Sequence, residues 1–296
     1  MSDHAANYRG ILAMVGGCAC FSANDAATKI AAQYIPVSQV VFTRAVFALA
    51  FALLIILWRS EVYAIRHVRN PYLLLRAFIE AFTGLLVIFS LTHMPIANMT
   101  AILLIQPFLM TAIGVLFLRE QAGWRRWVAI FAGFAGMLLV MKPGTEGFNW
   151  VSLLVLFSAC IAIGRDLLVR KIGNDVPTTV ISFSTALLAV PIGFLGSFVE
   201  DWQVPSAVPL IAIAISAFFL VIAFIFMVIA FRGTDVSVVS PFRYSIVIFA
   251  VFFGLTVFGE IPDALSIFGI AIIVGAGLYM LHRETVRRRA AANTAP

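Results

Sequence analysis

Charge is scarce in this chain. Asp, Glu, Lys and Arg make up only 11% of its 296 residues, against about 25% in an ordinary soluble domain. Such a chain cannot clothe a core in a polar surface, so its solvent is lipid. Cysteine is nearly absent too. Cys18, Cys20 and Cys160 all fall inside apolar runs, which excludes a disulfide framework. The histidines His4, His67, His93 and His282 lie in a tail or connections without ligand spacing, so no metal and no cofactor is expected. A Gly-rich loop ending in Lys-Ser/Thr is missing, which argues against nucleotide-driven pumping. No His–Asp set or paired acids suggest catalysis, and no catalytic residue is assigned. The first apolar run continues into further ones without a cleavable-leader pattern.

Long apolar runs are what the chain has in quantity: 62% of residues are hydrophobic and the mean hydropathy is +1.04. A helix needs about 20 such residues to cross the hydrocarbon core. Spans are expected over residues 10–30, 37–58, 72–91, 96–117, 124–141, 150–170, 178–198, 208–231, 236–258 and 263–281. The breaks carry Pro, Gly or charge, as at Pro36, Asn70-Pro71, Met94-Pro95, Lys142-Pro143-Gly144 and Asn174 to Pro177. The runs are too long and too uniformly apolar for β-barrel strands. The fold class is therefore an all-α integral membrane protein with ten transmembrane helices. Trp58, Trp124, Trp127, Trp150 and Trp202 fall near span ends, as interfacial residues should.

Lys and Arg set the orientation. With a cytoplasmic N-terminus, the inner segments carry Arg9, Arg59, Arg66, Arg69, Arg119, Arg125, Arg126, Arg170, Lys171, Arg232, Arg283 and Arg287-Arg288-Arg289. The outer segments carry Lys142, with Lys29 near a boundary. Both termini are expected in the cytoplasm of a bacterial cell whose inner membrane holds the protein. The net charge of +6 thus reflects topology; its dispersal among hairpin connections argues against a nucleic-acid partner.

The chain reads as two related halves, residues 1–143 and 144–296. Asp25, Lys29 and Pro36 match Asp166, Arg170 and Pro177 at one offset, and Leu118-Arg119-Glu120 matches Phe258-Gly259-Glu260. Two sequential five-span units must lie in opposite orientations, which gives inverted five-helix repeats with a site near the midplane. Asp25 lies roughly 22 Å along its helix at 1.5 Å per residue, in the outer third, and Asp166 in the inner third.

Ionisable side chains at membrane depth cost about 2.5–3.5 kcal/mol each on insertion scales and are functional candidates by default. Arg44 and Arg243 each stand about 12 Å beyond the start of a span at 1.5 Å per residue, with no acid at helical spacing in their own spans. These two, with Tyr244, Glu80, Gln106 and Asn24, are the expected substrate-binding residues. Asp25, Lys29, Arg165 and Asp166 are expected to gate or couple transport. A structural role competes for each. Asp25/Lys29, Arg76/Glu80 and Asp166/Arg170 can neutralise one another at i, i+4, and Glu80 and Asp166 can neutralise Arg44 and Arg243 across helices. Gln106-Pro107 and Ser240-Pro241 either unwind a helix toward a cavity or kink it for packing. Gly16, Gly17, Cys18, Ala19, Ser22 and Ala23 form a small face on the first span; Ala129/Gly133 and Ala271/Gly275 have small-xxx-small spacing, and packing is the expected use of all three.

Pro107 leading to Leu118-Arg119-Glu120, and Pro241-Phe242-Arg243-Tyr244 leading to Phe258-Gly259-Glu260, resemble the EamA type of the drug/metabolite transporter superfamily. The resemblance covers essentially the whole chain. One departure is Val247, which stands where the second half would match Pro107, so the second break is expected at Pro241. The resemblance implies that the first four helices of each half enclose a cavity and the fifth and tenth support it. It further implies a carrier related to riboflavin importers, S-adenosylmethionine carriers and amino-acid exporters. A membrane-embedded enzyme or a channel is the alternative. The partners expected are a small-molecule substrate and membrane lipid, with a homodimer as the alternative to a monomer.

Overall fold

The computed structural model describes residues 4–117, 124–169, 171–172, 176–231 and 236–293. All regular structure among these residues is helical. The helices are α1 His4–Ala31, α2 Val37–Trp58, α3 Pro71–His93, α4 Ile96–Leu103, α5 Gln106–Phe117, α6 Trp124–Met141, α7 Val151–Val169, α8 Thr178–Leu195, α9 Ala207–Phe231, α10 Val236–Val239, α11 Ile246–Phe258 and α12 Ala264–Asn293. Short 3₁₀ segments cover Val62–Arg69, Gly196–Phe198 and Ser240–Ser245. Ten stretches among the described residues are long and apolar enough to cross a membrane.

The fourth of these, Ile96–Ile113, joins α4 and α5 across a turn at Leu104-Ile105. Pro107 has no amide to donate. The chain tightens before it, with the Ile105 amide reaching the Ile102 carbonyl at 3.1 Å. The ninth stretch, Ser240–Phe258, opens as a 3₁₀ helix at Pro241, where the sequence places its break. His282 lies inside α12, not in a tail, because the Arg- and Ala-rich residues beyond it favour helix and carry α12 to Asn293. Leu118-Arg119-Glu120, Arg170, Asn174, Arg232 and Asp235 lie outside the described residues.

Three span helices begin behind a proline with extended ψ: Pro36 before α2, Pro95 before α4 and Pro177 before α8. Proline presets the helical approach but has no side-chain oxygen to cap the first amides. At α2 and α4 a remote carboxylate supplies that contact. Glu260 accepts the Ile96 amide at the start of α4 at 3.0 Å. Gly259 aims it: its φ of 67° ends α11, and the Glu260 amide returns to the Gly254 carbonyl at 2.9 Å, turning the chain back over the helix end.

The chain divides into two compact units, Met1–Ala23, Met94–Ser152 and Phe219–Pro296 in unit 1, and Asn24–His93 and Leu153–Phe218 in unit 2. In unit 1, α6 and α12 approach through glycine. A Cβ on Gly136 would lie 2.7 Å from the Gly269 carbonyl oxygen, and one on Gly269 2.6 Å from the Gly136 carbonyl oxygen. The expected Gly133 contact is real but faces the buried Phe108 ring. Gly275 has open space beside it, so Ala271/Gly275 is not the packing pair. Gly16 and Gly17 receive Phe226 from α9, and Met14 and Cys18 join Ala230 and Val239 in a core cluster. Lys142, just past α6, pairs with Asp263, which also caps α12 through the Ser266 amide at 3.0 Å. The Lys142 ammonium holds the Asp263 carboxyl down at about 2.

Gly136→Val should lower the thermal stability of detergent-purified protein, since overpacking against backbone typically costs about 1–3 kcal/mol. Gly275→Ala should leave it unchanged. Equal melting temperatures for all three proteins would refute the glycine contact.

Candidate functional site: a charged network on α3 and α7

Unit 2 gathers seven of the sequence-selected residues: Asn24, Asp25, Lys29, Arg44, Glu80, Arg165 and Asp166. Glu80 and Arg76 lie one turn apart on α3. The Arg76 guanidinium donates to Glu80 at 3.3 Å and to the Thr185 hydroxyl of α8 at 3.0 Å. Arg165 of α7 donates to the same Glu80 oxygen at 2.9 Å. Its Nε reaches Asp166 at 2.9 Å and its Nη2 at 2.8 Å. The result is an alternating chain, Asp166–Arg165–Glu80–Arg76–Thr185, with two positive and two negative members. Charge-assisted bonds of this length are strong, and the chain neutralises itself at membrane depth.

Glu80 places its direct bonds on Arg76 and Arg165, and Asp166 places its own on Arg165. A guanidinium can serve two carboxylates at once, so Arg165 captures both. The expected Arg76/Glu80 pairing at i, i+4 is present.

Arg44, half-buried on α2, has charge contact with Asp25 and Glu80. No ion pair closes on it among the described residues. Asp25 is oriented by a buried polar chain. The Asn24 amide donates to it at 3.0 Å, Ser216 of α9 donates to the Asn24 oxygen at 2.8 Å, and the Thr28 and Ser216 hydroxyls meet at 2.9 Å. Asn24 thus spends its side chain on Asp25 and Ser216. Lys29 is buried and partnered. Thr185 and Ser216 escaped sequence selection because an apolar helix contains many such hydroxyls and only the tertiary fold chooses among them.

Gln106, Arg243 and Tyr244 belong to unit 1. Gln106 opens α5 and is half-buried. Arg243 is exposed in the 3₁₀ segment before α11, while Tyr244 is buried. The Tyr244 phenol packs on α12 where a Cβ at Gly277 would lie 2.0 Å away, and its hydroxyl finds no hydrogen-bond partner among the described residues. The small face of α1 serves the irregular backbone here. Cys18 donates to the Arg243 carbonyl at 3.4 Å and Ser22 to the Ile246 carbonyl at 3.2 Å.

Glu80→Gln should destabilise the protein by about 1–3 kcal/mol, since two cations lose their shared acceptor. Adding Arg165→Gln should recover part of the loss, with a coupling above about 0.5 kcal/mol. Strictly additive effects in a double-mutant cycle of thermal unfolding would contradict the network.

Comparison with known proteins places this architecture. The EamA-like transporter family matches residues 8–142 and again 149–281. The S-adenosylmethionine uptake transporter of Rickettsia felis is 25% identical over 274 residues, covering 89% of each chain. The riboflavin transporter of Vibrio cholerae is 31% identical over 225 residues, 75% of each chain. The pseudopaline exporter CntI of Pseudomonas aeruginosa is 26% identical, covering 90% of this chain and 94% of its own. A crystal structure at 18% identity shares the fold over 94% of this chain and 98% of its own, with a TM-score of 0.64. With both matches spanning most of its length, this multi-pass membrane protein belongs to the EamA-like transporter family.

Proposed function

We propose that the protein is a secondary transporter that moves a small polar or amphipathic metabolite with an anionic or zwitterionic group by alternating access. The observation that carries this reading is Arg44. Its neighbour Glu80 is bonded to Arg76 and Arg165, Asp25 faces it only in charge contact, and among the described residues no direct ion pair closes on it. A cation left so in a membrane span is costly. A substrate carboxylate or phosphate would relieve that cost through a planar, two-point contact. Arg243 is assigned the same kind of contact and Tyr244 the apolar part of the substrate. Gln106, beside the helix break, is assigned a further substrate contact, Glu80 the holding of Arg76 and Arg165, and Asn24 the support of Asp25. Asp25, Lys29, Arg165 and Asp166 gate or couple transport. The names of the relatives favour riboflavin, S-adenosylmethionine or pseudopaline, and an amino-acid-like metabolite is the further candidate.

The inverted-repeat reading, with halves at 1–143 and 144–296, is supported by two features. The two family matches begin 149 − 8 = 141 residues apart. The helices α2 and α8, second in each half, run antiparallel: residues after α8 bond to the start of α2, and Glu61, after α2, bonds to the start of α8. Ten spans put both termini on one side, and the Lys and Arg of the inner connections assign that side to the cytoplasm of a cell whose inner membrane holds the protein. Reporter fusions at the C-terminus and in the Glu200–Pro205 connection should then report opposite sides; the same side for both would sink the ten-span orientation.

Proteoliposomes should show saturable uptake of one of these metabolites, accelerated by the same compound preloaded inside. Channels and enzymes do not give that counterflow. Arg44→Gln should raise the half-saturating concentration by about 10- to 100-fold, since a hydrogen bond to a charged group is worth about 1.5–3 kcal/mol. Full retention of affinity in Arg44→Gln and Arg243→Gln would remove the anion-binding role.

A further inference from the structure

The start of α2 is held by the connection that follows α8. Glu200 accepts both the Ser38 amide, at 2.9 Å, and the Ser38 hydroxyl. Trp202 donates to the same hydroxyl at 2.9 Å. Gln39 and Gln203 exchange two bonds, from the Gln39 side chain to the Gln203 carbonyl at 2.6 Å and from the Gln203 amide back at 3.2 Å. The Phe42 and Trp202 rings lie 5.1 Å apart. Glycine permits this closeness: a Cβ at Gly193 would meet the Phe42 backbone at 2.6 Å, and one at Gly196 would meet the Ser38 Cβ at 2.1 Å.

The other end of the same helix pair repeats the device in reverse. Glu61, after α2, accepts the Thr179 hydroxyl in the first turn of α8. Ile56, Val180, Ile172 and Leu73 close an apolar cluster beneath it. Ser38 and Thr179 are 179 − 38 = 141 residues apart, and Glu61 and Glu200 are 200 − 61 = 139 apart. Each helix therefore enters behind a proline, and each receives its carboxylate from the connection after the other. The two ties are separated by the length of α2, about 33 Å at 1.5 Å per residue.

Alternating gates open in turn, whereas the two ties here are made together at the two ends of one helix pair. We infer that α2 and α8 form a rigid strut, fastened at both membrane faces by Glu200 and Glu61, which stays closed throughout the transport cycle while other helices supply the gates. The inference rests on the alternating-access reading above. It makes the strut a fixed support for Arg44 on α2 and for Thr185, the Arg76 partner, on α8. Motion of packed elements as intact blocks is the common mode of such changes.

The test is a four-cysteine protein, Ser38→Cys, Glu200→Cys, Glu61→Cys and Thr179→Cys, with Cys18, Cys20 and Cys160 replaced by serine. In native membranes it is treated with a short bis-methanethiosulfonate linker, and linkers per molecule are counted by mass spectrometry after proteolysis. The expected result is two linkers on most molecules, one at each end. Mutually exclusive linkage, each molecule tied at one end only, would overturn the strut. Counting linkers needs no substrate, so it stands whether or not the transport reading does. In proteoliposomes, doubly linked protein should keep uptake within about two-fold of the unlinked protein, since a pair that moves as one block loses nothing on being tied. Uptake lost on linking and regained with reductant would also overturn it. If the four-cysteine protein does not fold, the two double-cysteine proteins, each retaining the native carboxylate at its other end, give the answer: uptake kept on linking in both supports the strut, and uptake lost on linking in either and regained with reductant refutes it.

Discussion

Hydrocarbon offers no hydrogen bonds, so every backbone group that a helix leaves unpaired must find a partner within the protein or reach the interface. Much of this structure answers that constraint. Prolines start three spans without capping them, and glutamates distant in sequence meet the first residues of those spans. The 3₁₀ segment at Pro241 leaves carbonyls outside the α-helical pattern; Cys18 donates to one of them, that of Arg243, and Ser22 to the Ile246 carbonyl where α11 begins. The small face of α1 is thus more than a packing surface. It brings donors that a larger side chain could not carry so close to a neighbouring backbone.

Side-chain charge obeys the same rule. The four charged members of the network on α3 and α7 sum to zero, and each is bonded to another. The desolvation cost of such groups is met only when geometry and remaining hydrogen bonds are good; Thr185 supplies one of those bonds to Arg76. Against this neutral background Arg44 stands out, because charge contact without an ion pair is an arrangement a ligand can complete. The polar chain from Thr28 through Ser216 and Asn24 to Asp25 fixes the carboxylate nearest to it in charge contact.

The ten spans and the positions of their breaks were legible in sequence because hydrophobic length and proline act locally. The Pro107 and Pro241 interruptions followed from the missing amide. Arg76/Glu80 was legible because i, i+4 is a property of one helix. The partner of Arg165 was not, since it depends on how α3 meets α7. Gly136 and Gly269 were hidden for the same reason: spacing marks which glycines share a face, but not which of them meets another backbone. Glu61 and Glu200 carry no signal in sequence beyond lying in connections between spans. Only the antiparallel pairing of α2 with α8 gives them a role.

The capping glutamates also bear on biogenesis. Ser38 and Glu200 are 162 residues apart, and Ile96 and Glu260 are 164 apart. A ribosome adds residues at about 5–20 per second, so the start of each of these helices emerges roughly ten to thirty seconds before the carboxylate that will hold it. During that interval interfacial water must serve those amides. The first half of the chain therefore enters the bilayer with its helix starts provisional, and its final fastening is made by residues from the second.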